Sequence, residues 1–180
     1  LQKRWREFLS LKRDKNLLYL IMSGFVISLN WGTFIFAVNT GHVVDASLGY
    51  FINPLLTIFL AAIVLKEKLS GLQIIAVILA AIGVAVMTVS YGSIPYIAIV
   101  LAATFSTFSL LKRIVKTDVV MGLAAETFAV LPLAVCFLIF VRISGQPVYS
   151  HLNIGELLFL LGSGIATAGP LLLFSYGTRI

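Results

Sequence analysis

Charge is scarce in this chain. Asp, Glu, Lys and Arg make up 11% of its 180 residues, against about 25% in an average soluble domain. Hydrophobic residues reach 60% and the mean hydropathy is +1.07, more apolar surface than a soluble domain of this length could hide. The bilayer is therefore the solvent to argue from. Cysteine is limited to Cys136, which lies inside an apolar run, so an intramolecular disulfide is excluded and cysteine usage reports nothing about redox compartment. Histidine occurs only as His42 and His151, so no His cluster is available to hold a metal or a cofactor. The spans also lack paired aspartates and a Ser-His pair, which an intramembrane enzyme would need as a convergent set. No GxxxxGK[ST] loop is present, which removes ATP-driven transport by this chain alone. Acidic residues are also fewer than basic ones, 7 against 13. That excess does not point to nucleic acid, because the Lys and Arg residues lie in short connections and not on a folded basic face.

What is present is a series of long apolar runs. A spanning helix needs about 20 predominantly apolar residues at ~1.5 Å each, and six segments qualify: A, 17–38; B, 47–65; C, 72–90; D, 94–111; E, 119–141; and F, 154–177. Strands of a membrane barrel would alternate strictly over about ten residues, whereas these runs are apolar all round. Segment A follows a basic stretch, as a signal peptide would, but its apolar run is too long and five more spans follow. The connections 39–46, 66–71, 91–93, 112–118 and 142–153 are short, which makes successive helices antiparallel neighbours. With the N-terminus inside, every Lys and Arg except Arg142 falls on the inner side, the asymmetry that sets orientation. The loops 66–71 and 112–118 are then cytoplasmic, and 142–153 is external. Cysteines introduced at Ser70 and Ser150 check this: an impermeant reagent should label only Ser150→Cys from outside, and equal labelling would overturn the orientation.

Residues 1–16 mix Trp5, Phe8, Leu9 and Leu11 with six basic side chains, as a plain cytoplasmic loop or as an amphipathic helix on the anionic inner leaflet. The chain starts without Met and stops just beyond segment F, so it reads as part of a longer membrane protein. A shift of 140 positions lays F on A: Leu17 on Leu157, Leu18 on Leu158, Leu20 on Leu160, Ser23 on Ser163, Gly24 on Gly164 and Phe34 on Phe174 are identities, with Tyr19 on Phe159. A and F are an odd number of helices apart and so cross in opposite directions, the pattern of inverted-repeat transporters. Gly24 and Gly164 are then both expected at helix contacts.

Small residues at every fourth position mark packed faces in lipid. They occur in A as Gly24, Ser28 and Gly32; in B as Gly49, Asn53, Thr57 and Ala61; in C as Ala76, Ala80 and Gly83; and in D as Ala98, Ala102 and Ser106. Asn30 and Asn53 lie on or beside such stripes, and an amide must face protein or a wet cavity because hydrocarbon cannot satisfy it. Both amides are open to either reading, an interhelical hydrogen bond or a cavity lining. Glu126 is the acidic residue well inside a span, with no Lys or Arg expected deep in another. A carboxyl there is protonated or hydrated in a cavity, which fits a proton or substrate site as well as a structural hydrogen bond. The candidate substrate-binding residues are Asn30, Trp31, Tyr50, Asn53 and Glu126. Pro132 and Pro170 interrupt the helical hydrogen bonding of E and F.

The run Asp45-Ala46-Ser47-Leu48-Gly49-Tyr50-Phe51-Ile52-Asn53-Pro54-Leu55 resembles the most distinctive stretch of RarD-type proteins in the EamA branch of the drug/metabolite transporter superfamily. Asn30-Trp31 with Ala37-Val38-Asn39, Gly92-Ser93-Ile94-Pro95, Glu126-Thr127 with Leu131-Pro132, and Thr167 to Leu172 with Phe174 resemble the family in the same order. Lys66-Glu67-Lys68 and Phe108-Ser109 depart from its frequent Gly-Glu-Arg and Tyr-Gly. The resemblance implies an all-α integral membrane protein, a polytopic helical bundle whose six transmembrane helices here are part of a ten-helix inverted-repeat fold of five plus five. Residues 17–90 would end the first repeat and 94–180 begin the second, after a cytoplasmic 1–16 segment. It also implies a bacterial inner-membrane permease or exporter of small metabolites or drugs, not an enzyme, working by alternating access. The expected partners are the lipid bilayer and an unnamed small molecule, with a homodimer as an option and no nucleic acid or cofactor. A structural or regulatory membrane subunit is the alternative.

Overall fold

In a computed structural model of the chain, the described residues are 15–92, 94–115, 117–144 and 153–177. All of the regular structure among them is helical: α1 Lys15–Asn39, α2 Val43–Val64, α3 Gly71–Tyr91, α4 Tyr96–Ile114, α5 Val119–Ile143 and α6 Ile154–Gly177. Each contains a stretch long and apolar enough to cross a membrane. Of the expected amphipathic 1–16 segment only residues 15 and 16 are described, at the start of α1, and most of the 142–153 loop lies outside the described residues.

Local chemistry sets the helix ends. After α1 the chain reverses through Gly41 at φ +79°, where the Gly41 N–H donates to Val38 O at 3.4 Å and the His42 N–H to Ala37 O at 2.8 Å. That pair of bonds is a Schellman cap, and its left-handed position suits glycine. Because the cap turns the chain so tightly, α2 starts at Val43 and not at 47 as the hydropathy suggested. A reciprocal capping box opens α3: Gln73 N–H donates to Ser70 Oγ, and the Ser70 N–H to Gln73 Oε1, satisfying two otherwise orphaned donors. Asp118 accepts the N–H groups of Val120 and Met121 and opens α5. Segment D, expected to start at 94, begins instead at Tyr96, just after Pro95.

The described residues form two compact bodies that share α1: residues up to Gly24 belong with those from Val115 onward, and Phe25–Ile114 make the other. In the 25–114 body, α2 and α4 pack face to face. Gly49, Asn53 and Ala61 are buried on α2, against Ala98, Ala102 and Ser106, all fully buried on α4. A Cβ at Gly49 would lie 3.0 Å from Ala98 O and 3.0 Å from the Leu101 Cβ, so glycine is what lets the two backbones approach. Phe34 and Ala37 of α1 join Ala46, Ile97 and Leu101 in one apolar cluster. At the end where α2 leaves and α4 arrives, Arg113 Nη1 and Glu67 Oε2 form an exposed ion pair at 3.3 Å.

In the other body, Leu20, Val115 and Ala125 form the core with Tyr19 against it, and Gly24 fits against the backbone of α5, where an added Cβ would meet Glu126 O at 2.9 Å. The small-residue stripes are used unevenly. Those of α2 and α4 and the Gly24 position are packed, whereas Gly32, Gly83 and Gly164 have no atom within 4 Å of an added Cβ. The expectation that Gly164 mirrors Gly24 at a helix contact is corrected by this: among the described residues an added Cβ at Gly164 meets open space, whereas one at Gly24 meets the α5 backbone. Large side chains such as Phe51, Leu72, Val89, Phe159 and Ile165 stand outward, which suits a lipid solvent and not water.

Candidate functional site

Among the described residues, polar groups inside the spans are hydrogen-bonded within each of the two bodies. In the 25–114 body, α4 is the platform. Asn30 Nδ2 donates to Leu101 O at 2.9 Å and to Thr104 Oγ1 at 2.8 Å. Thr104 spends its own proton on Val100 O at 2.7 Å, leaving its oxygen as the acceptor. One and a half turns further, Ser106 Oγ lies 3.0 Å from Asn53 Oδ1 and 3.1 Å from Asn53 O, and Thr57 Oγ1 lies 3.1 Å from Ser106 Oγ. A hydroxyl has one proton, so the consistent chain runs from Thr57 to Ser106 to the Asn53 carbonyl oxygen. Pro54, which follows, deprives Tyr50 O of its helical donor. The two amides thus sit within about 8 Å of each other along α4, at ~1.5 Å per residue, and each bridges helices.

Glu126 belongs to the other body. It is 3% exposed, and Ser23 Oγ of α1 donates to its Oε1 at 2.7 Å. Ser23 is itself fully buried, and Thr127, the neighbour in sequence, turns back to Leu123 O of its own helix. Trp31 and Tyr50, the other two expected site residues, are 42% and 48% exposed. Trp31 is one residue from Asn30 and so about 100° around the helix from it, which separates the indole from the amide. Tyr50 meets Phe34 edge-on, centroids 5.8 Å apart.

The residues that carry these networks besides the expected ones are Ser23, Thr57, Thr104 and Ser106. Ser106 was visible as the last member of the α4 stripe, and Ser23 as a partner in the A and F match, but nothing in either pattern named their acceptors. A further correction concerns Lys112, expected in an inner loop: the helix runs on to Ile114 and holds Lys112 at 3% exposure. Its ammonium stands 5.4 Å from the Phe108 ring centroid, a distance at which the ring face attracts a cation. The absence of any helix breaker in Leu110-Leu111-Lys112-Arg113-Ile114 lets α4 continue, and the long aliphatic stem tolerates burial. Lys112 nonetheless lies in the last turn of α4, at the end of its span and not deep within it. No group of three or more His, Cys, Asp or Glu that could hold a metal occurs among the described residues.

Residues 2–89 match the model of the EamA-like transporter family. The chain is 43% identical over 177 residues to the uncharacterized transporter YojE of Bacillus subtilis, an alignment covering 97% of this chain and 58% of that protein. It is 40% identical over 175 residues to Protein RarD of Streptomyces exfoliatus, covering 96% and 55% of the two chains. With Protein RarD of Escherichia coli it shares 38% identity over 168 residues, 92% of this chain and 56% of that one. The chain thus spans little more than half the length of these relatives. No solved structure matches it. Six apolar helices of spanning length, together with these matches, identify the chain as a multi-pass membrane protein of the EamA-like transporter family, similar to RarD-type proteins.

Proposed function

We propose that the full-length protein is a secondary transporter, moving small metabolites or drugs across the bacterial inner membrane by alternating access. The observation that carries this reading is the carboxyl of Glu126, buried within a span and hydrogen-bonded to the Ser23 hydroxyl, because an intramembrane ionisable group marks a proton or substrate pathway more often than a packing need. The transporter names of the relatives support the same class. On this reading Asn30, Trp31, Tyr50, Asn53 and Glu126 line the substrate path in the complete protein. The amides exchange hydrogen bonds with the cargo, the indole and phenol give it an apolar wall, and Glu126 takes up or releases a proton. The driving force is an ion gradient, exchange or the substrate's own gradient.

A screen of small-molecule uptake by the full-length protein in proteoliposomes, with and without an imposed proton gradient, tests this. Once a substrate is found, Asn53→Ala should weaken its binding several-fold while the protein still accumulates. Absence of transport for every class of small molecule, in protein shown to be folded, would favour a structural or regulatory membrane subunit. The engagement of Asn30 and Asn53 in bonds between helices is what favours that second reading.

A further inference from the structure

We propose that the 25–114 body carries, at the end where α1 turns into α2, a binding pocket for a small organic ammonium cation with an apolar body. A cavity of about 320 Å³ opens there among the α1–α2 turn, the first turn of α2, α3 near its end and the start of α4, with His42, Asp45, Met87, Ile94, Pro95 and Tyr96 in its wall. That volume is at the small end of ligand pockets, which begin near 300 Å³. None of the residues proposed above for the substrate path lines it, so the inference stands whether or not the protein transports.

Three features choose the ligand. The first is charge. Within residues 25–114 the charged side chains are Asp45 at this end and Lys66, Glu67, Lys68, Lys112 and Arg113 at the opposite end, so Asp45 alone sets the sign of the pocket. Its carboxylate is half-buried and makes no hydrogen bond or ion pair among the described residues. The second is the tethered imidazole. Thr40 Oγ1 donates its single proton to Phe36 O at 2.8 Å, so its 2.9 Å contact with His42 Nδ1 is a bond from Nδ1–H to the threonine oxygen. In the tautomer that carries its proton on Nδ1, the ring presents Nε2 as an acceptor. Carboxylate and imidazole both ask for N–H donors, which an ammonium supplies and an anion does not. The third is the remaining wall: Tyr96, an exposed ring whose face attracts a cation, and the apolar Met87, Ile94 and Pro95. A hard metal ion is a poor fit, since one carboxylate cannot supply the six or more oxygen ligands of Ca²⁺ or the octahedron of Mg²⁺.

Equilibrium binding to the full-length protein in detergent tests this, with 2-phenylethylammonium as the probe and 2-phenylethanol as its neutral counterpart. The ammonium should bind saturably and at least tenfold more tightly than the alcohol. Asp45→Asn should weaken it at least tenfold and Tyr96→Ala several-fold, whereas Glu67→Gln, at the opposite end, should leave it unchanged. Should Asp45→Asn fail to accumulate, the ammonium-to-alcohol ratio and Tyr96→Ala decide, because Tyr96 is exposed and its truncation leaves the core intact. Absence of saturable binding, equal affinity for the alcohol, or folded Asp45→Asn protein that binds like wild type would each overturn the proposal.

Discussion

Glu126→Gln should abolish the pH dependence of transport by the full-length protein while leaving its accumulation and thermal stability close to wild type. Glutamine keeps the length and planarity of the side chain, and its amide oxygen can still accept the Ser23 hydroxyl that now lies 2.7 Å from Oε1. What it cannot do is bind and release a proton. The two effects separate because they rest on different properties of the carboxyl, its shape and its acidity. Ser23→Ala is the informative companion: it removes one donor from a buried acceptor, a loss of roughly 1–3 kcal/mol, and so should lower stability with the carboxyl still in place. Tyr19, another titratable side chain in that body, is controlled by Tyr19→Phe, which should keep the wild-type pH profile. Transport rates measured across a pH series in proteoliposomes decide. An unchanged profile in Glu126→Gln would make the carboxyl a structural group and leave exchange or facilitated movement as the mechanism.

The second large effect is expected at the crossing of α2 and α4. Gly49→Val should destabilise the protein by about 1–3 kcal/mol or more, the cost of overpacking a well-filled contact, and reduce its accumulation in the membrane. The reason is local: the first added carbon already falls 3.0 Å from a backbone carbonyl and 3.0 Å from the Leu101 Cβ. A backbone oxygen in the middle of a helix cannot swing aside as the end of a flexible side chain can. The same crossing holds Asn53, Thr57 and Ser106 within hydrogen-bond distance, so displacing α2 also breaks a polar network in a medium with no water to replace it. Gly83→Ala, with no atom within 4 Å, is the control and should not destabilise the protein, since alanine favours a helix interior over glycine by about 0.5–1 kcal/mol. Thermal unfolding in detergent measures both. Equal stability of the two variants would show that α2 and α4 do not pack as described.

The number of spans, their order and the short connections were determined by the sequence itself, because hydrocarbon imposes its demand on every residue of a spanning run and so leaves a signal about 20 residues long. The capping chemistry is also local: Ser70 and Gln73, Asp118 and Gly41 act on neighbours a few positions away, which is why their effects are legible once the boundary is known. The stripe of Gly49, Asn53, Thr57 and Ala61 on one helix and of Ala98, Ala102 and Ser106 on another announced two packed faces. Gly32 and Gly83, the last members of similar stripes, meet no neighbour within 4 Å of an added Cβ, and sequence periodicity cannot say which members of a stripe are used. Only the tertiary structure decided that. It paired Asn53 with Ser106, Asn30 with Leu101 and Thr104, and Ser23 with Glu126, residues 53, 71, 74 and 103 positions apart. It also carried α4 one turn past its apolar run and buried Lys112. Such pairings depend on the rotation of each helix about its own axis and on its height in the bilayer. Those are set by close contact at a few small residues, and they leave no trace in the average composition of the run.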